Sequence, residues 1–314
     1  MKRAALATAG TTRAVALIGV LFAAGAGTAD DGLEPLRWKL DPGREYRYTL
    51  SQATVLDSTP EGGGPIHSER RQEVDFRWVV GEAREDCAEV ALVVDRLRVH
   101  VAREGLPGGF DFDTATDDAA PGDPHSARVA ALLKGLVGSR ITFRLTPRGE
   151  VRDVRLPDEL SAALRRPDAS GEGVLASEEG VRNLIAVSVP FLPEGPSGPG
   201  TMWTRQVAAP MPTVGSLILD KTYTDRGPRA DRPQVHDVDV ETRFSLQPMP
   251  GSTVAMKLEK QSGAGSFAFD ARRGLVESGR LEDSLTIRFT ADGRSVVQTA
   301  SAKLGLKLEA RPAP

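Results

Sequence analysis

The sequence predicts a mainly β fold, a β-rich α+β arrangement in which two antiparallel sheets form a sandwich or an open half-barrel around a helical insertion at about 124–192. Three observations predict it. Apolar residues recur with period two through most of the chain, the spacing of half-buried strands. Gly (32) and Pro (22) make up 54 of 314 residues, which favours many turns over long helices. The period changes to 3.6 only in the middle of the chain. With 40% hydrophobic and 26% charged residues, the chain has enough apolar material for a core, and disorder through low hydrophobicity is excluded.

The first 29 residues read differently from the rest. Lys2, Arg3 and Arg13 precede an apolar run from Ala14 to Ala24, and small residues follow to Gly27-Thr28-Ala29. This is the order of a secretory signal, with cleavage expected after Ala29 or Ala26. The run falls short of the roughly 20 residues a bilayer core needs, so no transmembrane anchor is expected after cleavage. No Cys lies near either site, so the mature protein is expected to be extracytoplasmic, periplasmic or secreted, and not lipidated. The mature chain, 30–314, reads as one β-rich domain with an N-terminal half at about 33–156, a helical and loop connection at about 157–200, and a C-terminal half at about 201–311. Its formal charge is −6, from 37 basic against 43 acidic residues. Binding to a phosphate backbone draws on a basic face, so nucleic acid is not an expected partner. A single Cys, Cys87, excludes an intrachain disulfide framework.

In order along the chain, Tyr46, Tyr48 and Leu50 mark a first strand, and Val74, Phe76, Trp78 and Val80 a second. Val90, Leu92 and Val94 hold even positions, whereas Leu97, Val99 and Val101 hold odd ones. The phase change at Asp95-Arg96 predicts a β-bulge in one long strand. Phe110 and Phe112 continue the pattern. Asp123-Pro124 then supplies a cap and a first helical residue, and Val129, Leu132, Leu133 and Leu136 share one helical face before Gly138. Ile141, Phe143 and Leu145 lead through Thr146-Pro147-Arg148-Gly149 to Val151. Pro157 to Leu164 is a short helix, and Ser177 caps another with Val181, Leu184 and Ile185. Residues 165–176 read as a flexible connection, and Pro190 to Gly200 as a Pro/Gly-rich loop. Strands resume with Val238, Val240, Thr242 and Phe244, then Val254, Met256 and Leu258, then Phe267 and Phe269. Leu285, Ile287 and Phe289 turn at Asp292-Gly293, a favourable hairpin pair, into Val296 to Leu308. Leu304, Leu306 and Leu308 place this last strand in the core.

The two halves echo each other. Trp38 before Tyr46-x-Tyr48, Val74-Asp75-Phe76, Val90 to Val94 and Phe110-x-Phe112-Asp113 recur as Trp203 before Tyr223, Val238-Asp239-Val240, Val254 to Leu258 and Phe267-x-Phe269-Asp270. A Gly-containing hairpin follows in each half, at Gly149 and Gly274. A duplication and the self-likeness of any meander both account for this.

Several of these stretches carry a resemblance. Leu36-Arg37-Trp38-Lys39-Leu40-x-Pro42-Gly43-x-x-Tyr46-x-Tyr48, Phe110-Asp111-Phe112-Asp113, Leu136-Val137-Gly138 before Ile141-Thr142-Phe143, Gly149-Glu150-Val151, and Phe191-Leu192-Pro193-Glu194 before Trp203 resemble an uncharacterised family of secreted bacterial domains of unknown function. The likeness covers most of the mature chain. It implies export and a β-rich fold with helices, and it brings no catalytic residues.

The residues themselves point to no catalytic set, metal or cofactor. His67, His100, His125 and His236 include no H-E-x-x-H and no closely spaced pair. There is no G-x-S-x-G elbow, and Gly171-x-Gly173-x-x-Ala176 lies in a loop without the strand that a dinucleotide site needs. The acidic stretch Asp111, Asp113, Asp117, Asp118 and Asp123 fails the EF-hand pattern at Ala115, Thr116 and Gly122. Glu282 and Asp283 are adjacent carboxylates with nothing in the sequence to separate their pKa values, and the acidic neighbours of Cys87 disfavour a nucleophilic thiol. The expected role is an exported, non-catalytic protein that binds a lipid-like, apolar or amphipathic ligand between curved sheets and helices. As a fold analogy alone, this resembles the half-barrels of lipoprotein carriers. Tyr46, Tyr48, Phe76 and Trp78 are the candidate ligand-binding residues, and the same four serve equally as core filling. The alternative is a cell-envelope module that binds another envelope protein or is structural. A third reading is an extracytoplasmic enzyme, which a deep pocket joining His236 to clustered carboxylates would favour.

Overall fold

Alternation becomes register in the computed structural model, which describes residues 34–104, 109–116, 124–164, 178, 181–182, 185, 189–211 and 214–309. The elements run β1 (Glu45–Pro60), β2 (Ile66–Ala83), β3 (Ala88–Arg103), β4 (Phe110–Asp113), α1 (Pro124–Leu136), β5 (Arg140–Leu145), β6 (Val151–Arg155), α2 (Asp158–Leu164), β7 (Met202–Met211), β8 (Gly215–Pro228), β9 (Val235–Pro248), β10 (Ala255–Asp270), β11 (Leu275–Ala291) and β12 (Arg294–Leu308). All named strands join one 12-stranded antiparallel sheet. Its order is β6-β5-β3-β2-β1-β12-β11-β10-β9-β8-β7, with β4 paired to β3.

The fold is thus mainly β and open, and the two expected sheets are one. The joint is β1 with β12, whose register runs from Tyr48↔Leu308 to Pro60↔Val296. That pairing joins the two ends of the domain and leaves β6 and β7 as separate edges, so the sheet does not close into a barrel.

Local expectations map onto this frame. In β3, the pair Asp75↔Arg96 is followed by Phe76↔Val94, which leaves Asp95 as the extra residue of a bulge. The bulge keeps Val90, Leu92 and Val94 on the same face as Leu97, Val99 and Val101. At the β11–β12 hairpin, Asp292 and Gly293 have φ of 51° and 73°, as a type I′ turn requires. Helix α1 spans the 13 residues of the expected amphipathic stretch. The leader, Asp123, 165–177 and Leu184 lie outside the described residues.

The echo does not map strand for strand. Val254 to Leu258 and Phe267 to Phe269 belong to β10 or its entry, whereas their counterparts sit on two strands, β3 and β4. The two Gly hairpins nevertheless act alike, since both clasp the segment before β1. Trp38 N–H donates to Pro147 O (2.8 Å) in one hairpin, and Lys39 N–H donates to Gly274 O (3.0 Å) in the other. Gly149 has φ +89°, and a Cβ there would lie 2.3 Å from Pro190 O and 2.9 Å from Trp38 Nε1. Gly149→Ala is therefore expected to cost at least about 2 kcal/mol, from the left-handed backbone and the backbone clash together. Urea denaturation of the variant measures it, and a loss under about 0.5 kcal/mol would show that the clasp yields freely.

One face of the sheet is covered. Tyr48, Phe76, Leu97, Phe143, Tyr223 and Phe267 pack in one buried cluster with Leu133 and Leu136 of α1, Leu160 and Leu164 of α2, and Val181, Ile185 and Leu192 of the connection. The connection is latched by side chains: Trp38 Nε1 donates to Pro190 O (3.1 Å) and Trp203 Nε1 to Phe191 O (2.8 Å). A second, separate cluster on the same face holds Val207, Ala209, Met211, Leu217, Leu219, Phe244 and Leu285. Among the described residues, no helix is long and apolar enough to cross a membrane.

Candidate functional site

The four aromatic candidates lie side by side on the covered face, through the pairs Tyr46↔Trp78 and Tyr48↔Phe76. All are buried, with 8%, 5%, 2% and 7% exposure for Tyr46, Trp78, Tyr48 and Phe76. Tyr48 stacks on Phe76 with centroids 5.6 Å apart and meets Trp78 at 5.4 Å, and Trp78 continues to Trp38 (5.5 Å) and Phe143 (5.8 Å). They fill the core against one another, the second of the roles their sequence allows. Two polar atoms in this stack, Tyr48 Oη and Trp78 Nε1, are buried with no hydrogen-bond partner among the described residues. Burial, the largest influence, pushes the Tyr48 hydroxyl well above its ordinary value, so it is an O–H donor.

Beyond the aromatics the covered face changes character. Strand registers align one row of residues across the sheet: Arg205↔Lys221↔Thr242 on β7, β8 and β9, then Gly263↔Asp283↔Ala302 on β10, β11 and β12, then Thr54↔Arg70↔Val101 on β1, β2 and β3. Thr242 and Gly263 are neighbours, since a Cβ on Gly263 would lie 2.7 Å from Thr242 Cβ. The adjacent row toward the helices is Trp203, Tyr223, Val240, Gly265, Leu281, Leu304, Gln52, Gln72 and Val99, and the row on the other side includes Val207, Leu219, Phe244, Leu285, Ala300 and Leu56. A charged and hydroxyl-bearing band thus runs between the two apolar clusters.

The band is wired at one end only. Arg70 Nη2 donates to Gln72 Oε1 (2.9 Å), and Gln72 Nε2 donates to Gln52 Oε1 (2.7 Å). At the other end Arg205 lies over the Phe191 ring (4.8 Å), which Arg148 also covers (4.7 Å). Lys221 has neither a hydrogen bond nor an ion pair with any described residue. Asp283 Oδ1 is buried and equally unpartnered. Burial lowers the pKa of Lys221 and raises that of Asp283, each opposed in part by the other's charge. Asp283 is thereby distinguished from Glu282, which turns to the opposite face and meets Lys303 at 3.4 Å. The neighbouring carboxylates that looked alike in sequence sit in different environments because a strand sends successive side chains to opposite faces.

Lys221 and Arg205 are absent from the sequence candidates, and Asp283 enters there only as a carboxylate beside Glu282, although a signal was present. Lys221 interrupts the in-phase series Leu217, Leu219, Tyr223, and Asp283 stands between Leu281 and Leu285. One polar residue in an apolar phase is unremarkable on a single strand. Only the pairing of strands shows three such interruptions falling in one row.

His236 lies elsewhere. Its Nδ1 is 3.0 and 3.1 Å from the two oxygens of Asp225, Ser197 Oγ donates to Asp225 Oδ2 (2.7 Å), and Gly227 N–H donates to Oδ1 (2.7 Å). The carboxylate stands between serine and histidine, so His236 is not placed to take the serine proton, as a base in nucleophilic catalysis must. In the acidic stretch, Asp113 is engaged by Arg96 (Nε to Oδ1, 2.8 Å) and accepts Ala115 N–H (2.9 Å). The Arg96 hydrogen bond, the largest influence, holds its carboxyl down at about 2. Asp117, Asp118 and Asp123 lie outside the described residues, among which no group of three or more metal-ligating side chains occurs. On the open face, a groove of about 500 Å³ crosses β4, β3, β2, β1, β12 and β11 over the small residues Ser51, Ala53 and Gly305. Four of its charges pair locally, Arg98 with Glu73 and Lys303 with Glu282.

No family model and no curated protein matches the chain. Among solved structures, it is similar to a lipovitellin described for its lipid–protein interactions, at 14% identity and a TM-score of 0.45, over 88% of this chain and 26% of that one. The chain thus spans about a quarter of the lipovitellin chain. An outer membrane channel from Pseudomonas putida F1 matches at 7% identity and a TM-score of 0.23, over 90% and 100% of the two chains. DynF, from the dynemicin biosynthesis pathway of Micromonospora chersina, matches at 10% identity and 0.21, over 95% and 98%. At these scores the likeness carries no argument for a function.

Proposed function

We propose that this is an exported, non-catalytic protein that binds an apolar or amphipathic ligand on the covered face of its open sheet. The observation that carries this is the division of that face: two apolar clusters lie on either side of a polar band in which Asp283 Oδ1 is buried without a partner and the partly buried Lys221 has no hydrogen bond or ion pair with a described residue. A sheet face built only for core would not leave a buried oxygen such as Asp283 Oδ1 without a partner, since a buried unsatisfied polar group costs about 1–3 kcal/mol. An amphipathic molecule matches the pattern, with its apolar part against the aliphatic and aromatic rows and its polar part at the band. The sheet ends at separate edges, β6 and β7, and is not closed into a barrel. The absence of a catalytic role is supported by the order Ser197–Asp225–His236, and an extracytoplasmic location by the leader at residues 1–29.

Protein purified without detergent from the cells that make it is expected to carry a bound small molecule. Native mass spectrometry would show a mass excess over the mature chain that organic solvent removes. A spectrum of bare protein alone, from preparations at several growth stages, would count heavily against the proposal.

A further inference from the structure

We infer that the polar end of the ligand is an acidic group, a carboxylate or a phosphate, seated at Lys221 with Arg205 beside it. The inference rests on the proposed ligand-binding face and narrows it to a chemical class. The band carries three cations, Arg205, Lys221 and Arg70, against one anion, Asp283. Arg70 already donates to Gln72, and Arg205 lies over Phe191. Lys221 is left as the cation without a protein partner among the described residues, on the covered face between Leu219 and Tyr223, which are 1% and 5% exposed.

Asp283 does not answer it. The two side chains lie on strands separated by Thr242 of β9 and Gly263 of β10, and no ammonium–carboxylate distance between them is within 4 Å. Gly263 leaves its own position to Asp283, whose Oδ1 would be 2.6 Å from a Cβ there, so the carboxylate rests on the β10 backbone short of Lys221. A ligand oxygen anion beside Lys221, a partly buried side chain, forms a charge-assisted hydrogen bond, and the neighbouring Arg205, also partly buried, adds a second positive charge. Apolar rows on both sides of the band place an acyl or ring portion next to that head group, which favours an amphipathic acid over a free anion.

The test uses the mature full-length protein stripped of bound lipid, with cis-parinaric acid as a fluorescent acidic probe and its alcohol analogue as the neutral one. The acid is expected to bind about tenfold or more tighter than the alcohol. Lys221→Met should bring acid affinity down to about that of the alcohol and lower alcohol affinity far less, while Lys221→Arg retains the preference for acid. Replacing a partly buried, unpaired lysine with an apolar side chain is compatible with folding, which a thermal melt verifies. Displacement by oleate at lower concentration than by lysophosphatidate assigns a carboxylate, and the reverse order assigns a phosphate. Inorganic phosphate competing as well as lysophosphatidate would overturn the amphipathic acid in favour of a free anion. Equal binding of acid and alcohol, unmoved by Lys221→Met, would overturn the inference and leave the ligand-binding proposal standing. Binding of neither probe would overturn both.

Discussion

A chain ending at Ala291, which lacks β12, is expected not to fold. The lost strand lies at the middle of the sheet and is hydrogen-bonded to β1 on one side and β11 on the other. Its inward residues Leu304, Leu306 and Leu308 pack against the main core. Without it, β1–β6 and β7–β11 become two sheets with no shared ladder, and β1 and β11 turn into long unprotected edges that invite aggregation. The whole of a domain's stability, of order 5–15 kcal/mol, depends on this joint. The expected result is insoluble protein, or soluble protein whose Trp38 and Trp78 fluorescence changes gradually with urea. A cooperative transition within about 2 kcal/mol of the full chain would show that the two halves fold independently.

The parts of this fold that sequence reveals are those set by neighbours. Tyr46 to Leu50 alternates because a strand has period two, and α1 shows in Val129, Leu132, Leu133 and Leu136 because a helix has period 3.6. The Asp95 bulge is legible for the same reason: one extra residue inverts the phase of all that follows. The union of the sheet is not legible. Nothing in the alternation of Gln52 or Leu304 states that they face each other across some 250 residues, and two sheets or one sheet satisfy the same pattern.

The site followed a similar division. Tyr46, Tyr48, Phe76 and Trp78 stand out because large aromatics in phase mark an apolar face, but a face that holds a ligand and a face that holds a core look the same in one strand. What separates them is an unsatisfied polar group at a defined place in the packing. Lys221, Arg205 and Asp283 are ordinary charges on three strands until register puts them in one row between two apolar clusters. His236 illustrates the converse. Sequence ties an enzyme reading to a pocket that would join His236 to clustered carboxylates, and the structure binds its Nδ1 to the single carboxylate of Asp225.

Those bonds set the second large effect: Asp225→Ala is expected to destabilise the protein by about 3–5 kcal/mol. Asp225 is 0% exposed and ties three elements together, since it accepts from Ser197 in the connection, Gly227 of β8 and His236 of β9. Its removal leaves three donors to be resatisfied in a site that excludes water, each at a cost of about 1–3 kcal/mol if it stays unpaired. The effect depends on pH in a defined sense. Burial alone would raise the Asp225 pKa, but the His236, Ser197 and Gly227 hydrogen bonds outweigh it and hold the carboxyl below the ordinary carboxylate range. A carboxyl with a lower pKa in the folded state stabilises fully above its unfolded value of about 4, and that stabilisation is lost as pH falls through the folded value. The gap between wild type and Asp225→Ala in urea denaturation is therefore expected to be full from about pH 5 to 7 and to narrow steadily toward about pH 3, because only the wild type loses an ionised carboxylate there. A gap that stayed constant over that range would place the loss in packing and backbone bonds, and would remove the charge of Asp225 from the forces that hold the connection to β8 and β9.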